Sequence, residues 1–138
     1  MADDAIPPGA NNTDEQRAAA MKILETWDSA AMRKAKSQGA ANFATEIGAL
    51  SFENVFARLW VRPGLDLRAR SFVTLGILIA LRAEDELAIH FQNALANGVT
   101  KEELEEVIYH ATAYAGFPAA ATARRIAIDS MRAEGQID

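Results

Sequence analysis

The chain has 138 residues, 50% of them apolar and 24% charged, with a net charge of −5 and no cysteine. Those numbers fit one globular domain with a real core, and they exclude disulfides, thiolate metal sites and thiol redox chemistry. The acidic balance, without a dense Lys/Arg cluster, argues against nucleic acid as a partner. The longest apolar run, SFVTLGILIAL at 71–81, falls well short of the ~18 residues that span a bilayer.

Residues 1–12, MADDAIPPGANN, are polar, rich in turn formers and acidic where a signal peptide would be basic. They read as an arm packed on something, such as a neighbouring subunit, with a single domain over 13–138 in the cytoplasm. Thr13 and Gln16 are spaced for a capping box that opens a helix. Apolar residues at helical spacing carry that helix through Ala20, Ile23, Leu24, Trp27 and Ala31 to about Ser37, with Gly39 ending it. A short segment near 41–49 precedes a helix near 51–60 with Phe52, Val55, Phe56, Leu59 and Trp60. Pro63-Gly64 breaks the chain.

Asp66 is placed to cap a helix over 67–82. Its apolar residues surround it on nearly every side, so it is expected to be the buried central helix, with Gly76 allowing close helix contact. The next helix covers 84–97 and stops at Gly98. Thr100 and Glu103 form a second capping box for a helix over 101–115. Gly116 ends it, and Pro118 sits in the first turn of a last helix reaching about Glu134. No segment has a strand period, so the fold class is all-α, with about six helices.

The chain's two histidines lie on neighbouring helices. At about 100° per residue, Glu86, His90, Asn93 and Asn97 share a stripe beside the core face of Leu87, Phe91, Ala94 and Leu95. Glu103, His110 and Tyr114 flank the core face of the following helix in the same way. If the two flanks meet, they enclose a partly buried polar pocket of the kind that tunes a histidine for acid/base work. A Glu–His pair at i,i+4 is also an ordinary helix-surface pair. On spacing alone that plain reading outweighs a site role for His90, and more so for His110. Two histidines without an H-E-x-x-H pattern are a weak metal signal, so no metal is expected. Arg62, Arg68 and Arg70 surround the start of the apolar helix, where a guanidinium and a helix N-terminus together suit a carboxylate. Each alone is equally placed to pair with a surface acid. Trp27, Phe43, Phe52, Phe56 and Trp60 are many large apolar groups for half a small chain, and some are expected to face another subunit.

The sequence resembles the carboxymuconolactone decarboxylase family. The residues that carry the resemblance are WVRPGLDLRARS at 60–71, TL at 74–75, ELAIH at 86–90, ALANGVT at 94–100, EELEEV at 102–107 and AYAGFPAA at 113–120. It covers about residues 50–128. It implies the all-helical alkylhydroperoxidase D-like fold, assembled as homo-oligomers, trimers or hexamers. The redox branch of the family carries a Cys-x-x-Cys pair where Ala83 and Glu86 stand here, so peroxidase chemistry is not available to this chain. His90 fits the decarboxylase branch. Phe56-Ala57 stands where Trp-Gly is common, Leu81-Arg82 where a glycine is frequent, and His110 where glutamine is usual.

The resemblance implies a cofactor-free loss of CO₂ from 4-carboxymuconolactone, or a related unsaturated carboxy-lactone, in aromatic-compound breakdown. His90 would donate the proton or bind the developing oxyanion, and Glu86 would orient the imidazole and raise its pKa. Arg62, Arg68 or Arg70 would grip the spared carboxylate. Phe56, Trp60 and Phe91 would form an apolar wall, with His110 and Tyr114 as further substrate contacts. Two other functions stay open: a different cofactor-free lyase or isomerase on another small acid, and a non-catalytic oligomeric ligand-binding protein.

Overall fold

The structure, a computed structural model, describes residues 12–38 and 42–138. The expected N-terminal arm, apart from Asn12, and the expected stop at Gly39 lie outside the described residues. Among the described residues there are helices and no strand. They are α1 (Asp14–Glu25), α2 (Ala30–Gln38), α3 (Ile47–Ser51), a π-helical segment (Phe52–Trp60), α4 (Leu67–Leu81), α5 (Glu84–Ala96), α6 (Lys101–Tyr114) and α7 (Phe117–Ala133). None of them is long and apolar enough to cross a membrane.

Local chemistry fixes most helix ends. The Thr13–Gln16 capping box forms, with reciprocal bonds of 3.1 and 2.7 Å. The Thr100–Glu103 box forms likewise. Asp66 Oδ1 accepts from the Ala69 N–H at 2.7 Å and opens α4. Gly98 and Gly116 take φ near +93° and +94°, a region that side chains disfavour, and so turn the chain between α5, α6 and α7.

The single long helix expected over 13–37 is instead two. The chain leaves the helical path at Thr26, whose hydroxyl donates to the Ile23 carbonyl at 2.7 Å. Ser29 Oγ accepts from the Met32 N–H at 3.1 Å and starts α2. Thr, Asp and Ser in TWDS compete with the helix for backbone bonds. The break also lets Trp27 turn inward, where it is 1% exposed.

The core lies among α4, α5, α6 and α7. Leu75, Ile79, Leu87, Phe91, Leu104, Ile108, Ala123 and Ile126 are among its buried side chains. Alanines at 119, 120, 123 and 127 of α7 let that helix come close to its neighbours. α4 is not buried all round, contrary to its apolar sequence. Only Ser71, Leu75 and Ile79 are enclosed, one stripe at helical spacing. Val73, Ile77 and Leu81 are 53%, 53% and 71% exposed, and a Cβ at Gly76 would meet nothing within 4 Å.

α1 is tied to the π segment by a buried carboxylate. Arg17 Nε and Asn12 Nδ2 donate to Glu53 at 2.8 Å each. Burial would raise the Glu53 pKa, but these hydrogen bonds and the Arg17 charge outweigh it and hold the carboxyl below its ordinary range. The π segment thus docks on α1 with Phe56 and Trp60 turned toward Trp27, at centroid distances of 5.6 and 4.9 Å. Trp27 and Trp60 are therefore spent inside the subunit, whereas Phe43 is exposed.

Candidate active site

A cavity of about 420 Å³ opens between the π segment, the start of α4 and α5. Val55, Phe56, Leu59 and Trp60 supply an apolar wall, and Arg70, Thr74, Glu86 and His90 supply the polar groups. α4 brings Arg70 and Thr74 to the cavity because residues four apart share a helix face. α5 brings Glu86 and His90 by the same rule.

His90 is largely enclosed, far more so than Glu86. Its side chain is 11% exposed. The Trp60 indole is stacked with it at 6.2 Å, and Trp27 meets it edge-on at 5.9 Å. Nδ1 is buried without a hydrogen-bond partner. Nε2 lies 3.8 Å from Glu86 Oε2, too far for a hydrogen bond. Burial pushes the imidazole down to about 4 from its ordinary 6.5. The expectation that Glu86 raises this pKa is therefore reversed: Glu86 is largely exposed and distant, and desolvation by the two indoles dominates. At neutral pH His90 is an uncharged imidazole.

Arg70 reaches the cavity from the first turn of α4. Its Nη2 donates to the Arg62 carbonyl at 2.9 Å, while its buried Nε has no partner. A guanidinium held at one nitrogen and free at another is prepared for an anion. The other two arginines stand elsewhere. Arg62 is exposed and meets Arg70 through its carbonyl. Arg68 points to α6, where Nη1 and Nη2 hold Glu103 at 2.9 and 2.6 Å and Nη1 also donates to the Gly98 carbonyl. Two residues apart on a helix means about 200° of rotation, so Arg68 and Arg70 cannot share a side. The Arg68 hydrogen bonds hold Glu103 down to about 2.

Phe91 is fully buried in the core rather than against the cavity. The His110 and Tyr114 rings lie 4.9 Å apart, tilted by 31°. They line a separate, larger groove of about 880 Å³ between α4 and α6, with Phe72, Gly76, Glu102 and Glu106. The two histidine flanks do not meet within the chain. Size alone would favour the larger groove, but both its titratable aromatics are exposed. The smaller cavity holds the buried histidine and a guanidinium with one unpartnered nitrogen, the combination that suits chemistry on an anion. Thr74 and Trp27 were not legible as site residues. Thr74 could have been found from its i+4 spacing to Arg70, whereas Trp27 depends on the helix break. Among the described residues no group of three or more His, Asp or Glu side chains could hold a metal ion.

The sequence pattern of the carboxymuconolactone decarboxylase family matches residues 45–129. That stretch contains every residue lining the cavity. A 4-carboxymuconolactone decarboxylase of Acinetobacter baylyi is 46% identical over 81 residues, which are 55% of this chain and 60% of that protein. A nitrosuccinic acid decarboxylase of Metarhizium robertsii is 44% identical over 66 residues, 48% of this chain and 46% of that protein. The chain thus spans about half to three fifths of the length of these two relatives. An uncharacterized 15.0 kDa protein of Paracoccus denitrificans is 33% identical over 106 residues, 75% of this chain and 73% of that one.

Proposed function

The chain belongs to the carboxymuconolactone decarboxylase family, and on that premise we propose that it is a cofactor-independent carboxy-lyase acting on 4-carboxymuconolactone or a closely related unsaturated carboxy-lactone. The observation that carries the reading is the convergence of neutral, buried His90 and of Arg70, whose guanidinium has no carboxylate partner, on one apolar-walled cavity.

The chemistry needs little from the protein. In a carboxylated unsaturated lactone, the bond from ring carbon to the leaving carboxylate breaks and CO₂ departs. Its electron pair runs through the C=C bond onto the lactone carbonyl oxygen. One proton then returns to ring carbon and gives the enol-lactone. The substrate is its own electron sink. Arg70 pairs with the spared carboxylate and fixes the orientation. Phe56, Leu59 and Trp60 strip water from the leaving carboxylate, which favours uncharged CO₂ over the anion.

His90 supplies the proton. Free of substrate it is uncharged, because nothing beside it compensates a buried charge. A dianionic substrate brings negative charge next to the ring and favours the imidazolium. Binding thereby loads the proton that decarboxylation consumes. Glu86, exposed at the mouth with Oε2 3.8 Å from Nε2, moves within hydrogen-bond reach of the ring only once the ring is charged.

One relative favours a second reading. Nitrosuccinic acid also has two carboxylates, and its nitro group can take the electron pair in place of the lactone carbonyl. The shared substrate class is a dicarboxylate with one activated and one spared carboxylate. Measuring CO₂ release from the lactone and from nitrosuccinic acid in parallel decides between them. Release from neither, by folded protein, would leave a different cofactor-free lyase or isomerase on another small acid, or the non-catalytic ligand-binding role.

The functional unit in this reading is a homo-oligomer, a trimer or hexamer, in the cytoplasm. Val73, Ile77 and Leu81 of α4 form an exposed apolar face continuous with the cavity rim at Leu59 and Leu65, and another copy covers it.

A further inference from the structure

The polar stripe of α5 continues past the residues assigned a role. Glu86, His90, Asn93 and Asn97 lie within about 60° of one another around the helix. Asn97 is used at both ends of its amide: Oδ1 accepts from Trp27 Nε1 at 3.1 Å, and Nδ2 donates to Ser71 Oγ at 3.0 Å. Asn93 is used at neither. It is 1% exposed, and both Oδ1 and Nδ2 are buried without a partner. An alanine there would avoid burying an unpaired amide, so packing does not explain the residue.

One turn earlier on the same stripe, His90 Nδ1 is buried and unpartnered too. Residues at i and i+3 stand about 5–6 Å apart at Cβ, a span that an amide and an imidazole close by side-chain rotation. The Trp27 indole contacts the imidazole and bonds to Asn97, so it roofs the stretch between them. The other buried unpartnered side-chain atoms among the described residues belong to Arg17 and Arg70, on other helices.

We infer that Asn93 is a positioning residue for His90: its Oδ1 accepts the imidazole Nδ1–H, fixing the uncharged ring as the Nδ1–H tautomer with the Nε2 lone pair turned to the cavity. Nε2 then takes the incoming proton and later gives it up, while Nδ1–H stays on the amide throughout. The ionisable groups facing the ring across the cavity are Arg70 on α4 and Glu86 on α5; the π segment and the α1–α2 link present Phe56, Trp60 and Trp27. The role rests on the decarboxylase reading of the same imidazole, but the tautomer can be read without turnover.

The test is ¹⁵N NMR of the two histidines in the full chain at pH 7 without substrate, with His110→Gln assigning the signals. Wild type should show His90 protonated at Nδ1 and bare at Nε2. Asn93→Ala should shift the ring toward Nε2–H, and Asn93→Asp should restore Nδ1–H. If the alanine variant does not fold, Asn93→Leu, closer in volume, gives the same comparison. In turnover, Asn93→Ala should lower kcat by roughly 10- to 100-fold with KM little changed. A wild-type ring protonated at Nε2, or an unchanged tautomer in a folded Asn93→Ala or Asn93→Leu chain, overturns the assignment. Absence of any wild-type turnover would sink the decarboxylase reading and leave the tautomer result standing.

Discussion

The indole of Trp60 lies nearly parallel to the imidazole of His90, with ring centroids 6.2 Å apart and planes inclined by 18°. With Trp27 edge-on beside it, the ring has aromatic carbon where a surface histidine has water. That relationship sets its protonation state, and the pH behaviour of the protein follows from it.

His90 binds its proton less readily folded, at about 4, than unfolded, at 6.5. The unfolded chain therefore holds more protons between those values, and stability rises with pH. The His90 contribution is fully present above pH 6.5 and is lost as pH falls toward 4. The loss is about 3 kcal/mol, an order-of-magnitude figure from about 1.4 kcal/mol per pH unit. Urea unfolding between pH 4 and 7 should show it in wild type, and a His90→Gln variant should lose most of that slope.

The two arginines of the α4 first turn should separate cleanly. Arg70→Met should raise the KM for a dicarboxylate by roughly 10- to 100-fold, as expected for a charge-assisted hydrogen bond of about 1.5–3 kcal/mol. Arg68→Met should leave KM near wild type and lower the melting temperature, since Arg68 holds Glu103 and the turn at Gly98. Steady-state kinetics and thermal melts of both variants check this. Equal KM effects would mean that Arg68 also reaches substrate.

Trp27 links the helix break to the site. Trp27→Ala should destabilise the protein by about 3–5 kcal/mol, the usual range for emptying a buried aromatic site. Trp27→Phe retains most of the packing but leaves Asn97 Oδ1 without its donor, at about 1–3 kcal/mol. Chemical denaturation orders the three proteins.

The exposed face of α4 predicts assembly. Ile77→Asp places a charge amid Val73 and Leu81 and should convert an oligomer into a smaller species by sedimentation. It should leave the helical circular-dichroism spectrum unchanged. A wild-type monomer would contradict the covered face.

Much of the fold was legible because its signals are local. Capping boxes at Thr13 and Thr100, the Asp66 cap, Gly98 and Pro118 each act within a turn of themselves, and the helix ends they set appear where expected. The break at Trp27 was hidden because its apolar spacing continues a helical pattern through TWDS, and burial of one indole decided against it. The full burial expected of α4 failed for a related reason: composition reports that a face is apolar, not which surface covers it. At the site, stripe arithmetic brought Glu86 and His90 together correctly on α5. It could not separate Arg68 from Arg70 in role, nor assign Phe91 to the core, without knowing which neighbour each helix face meets. The pKa direction of His90 was illegible because it comes from Trp27 and Trp60, which are distant in sequence.

The central claim is that His90 delivers the proton of a decarboxylation in this cavity. The direct measurement is CO₂ release from 4-carboxymuconolactone and nitrosuccinic acid at saturating substrate, comparing wild type with folded His90→Gln. General acid catalysis contributes roughly 10²- to 10⁴-fold, so the account predicts that kcat for the accepted substrate falls by about 100-fold or more. A His90→Gln protein that releases CO₂ at the wild-type rate would contradict it.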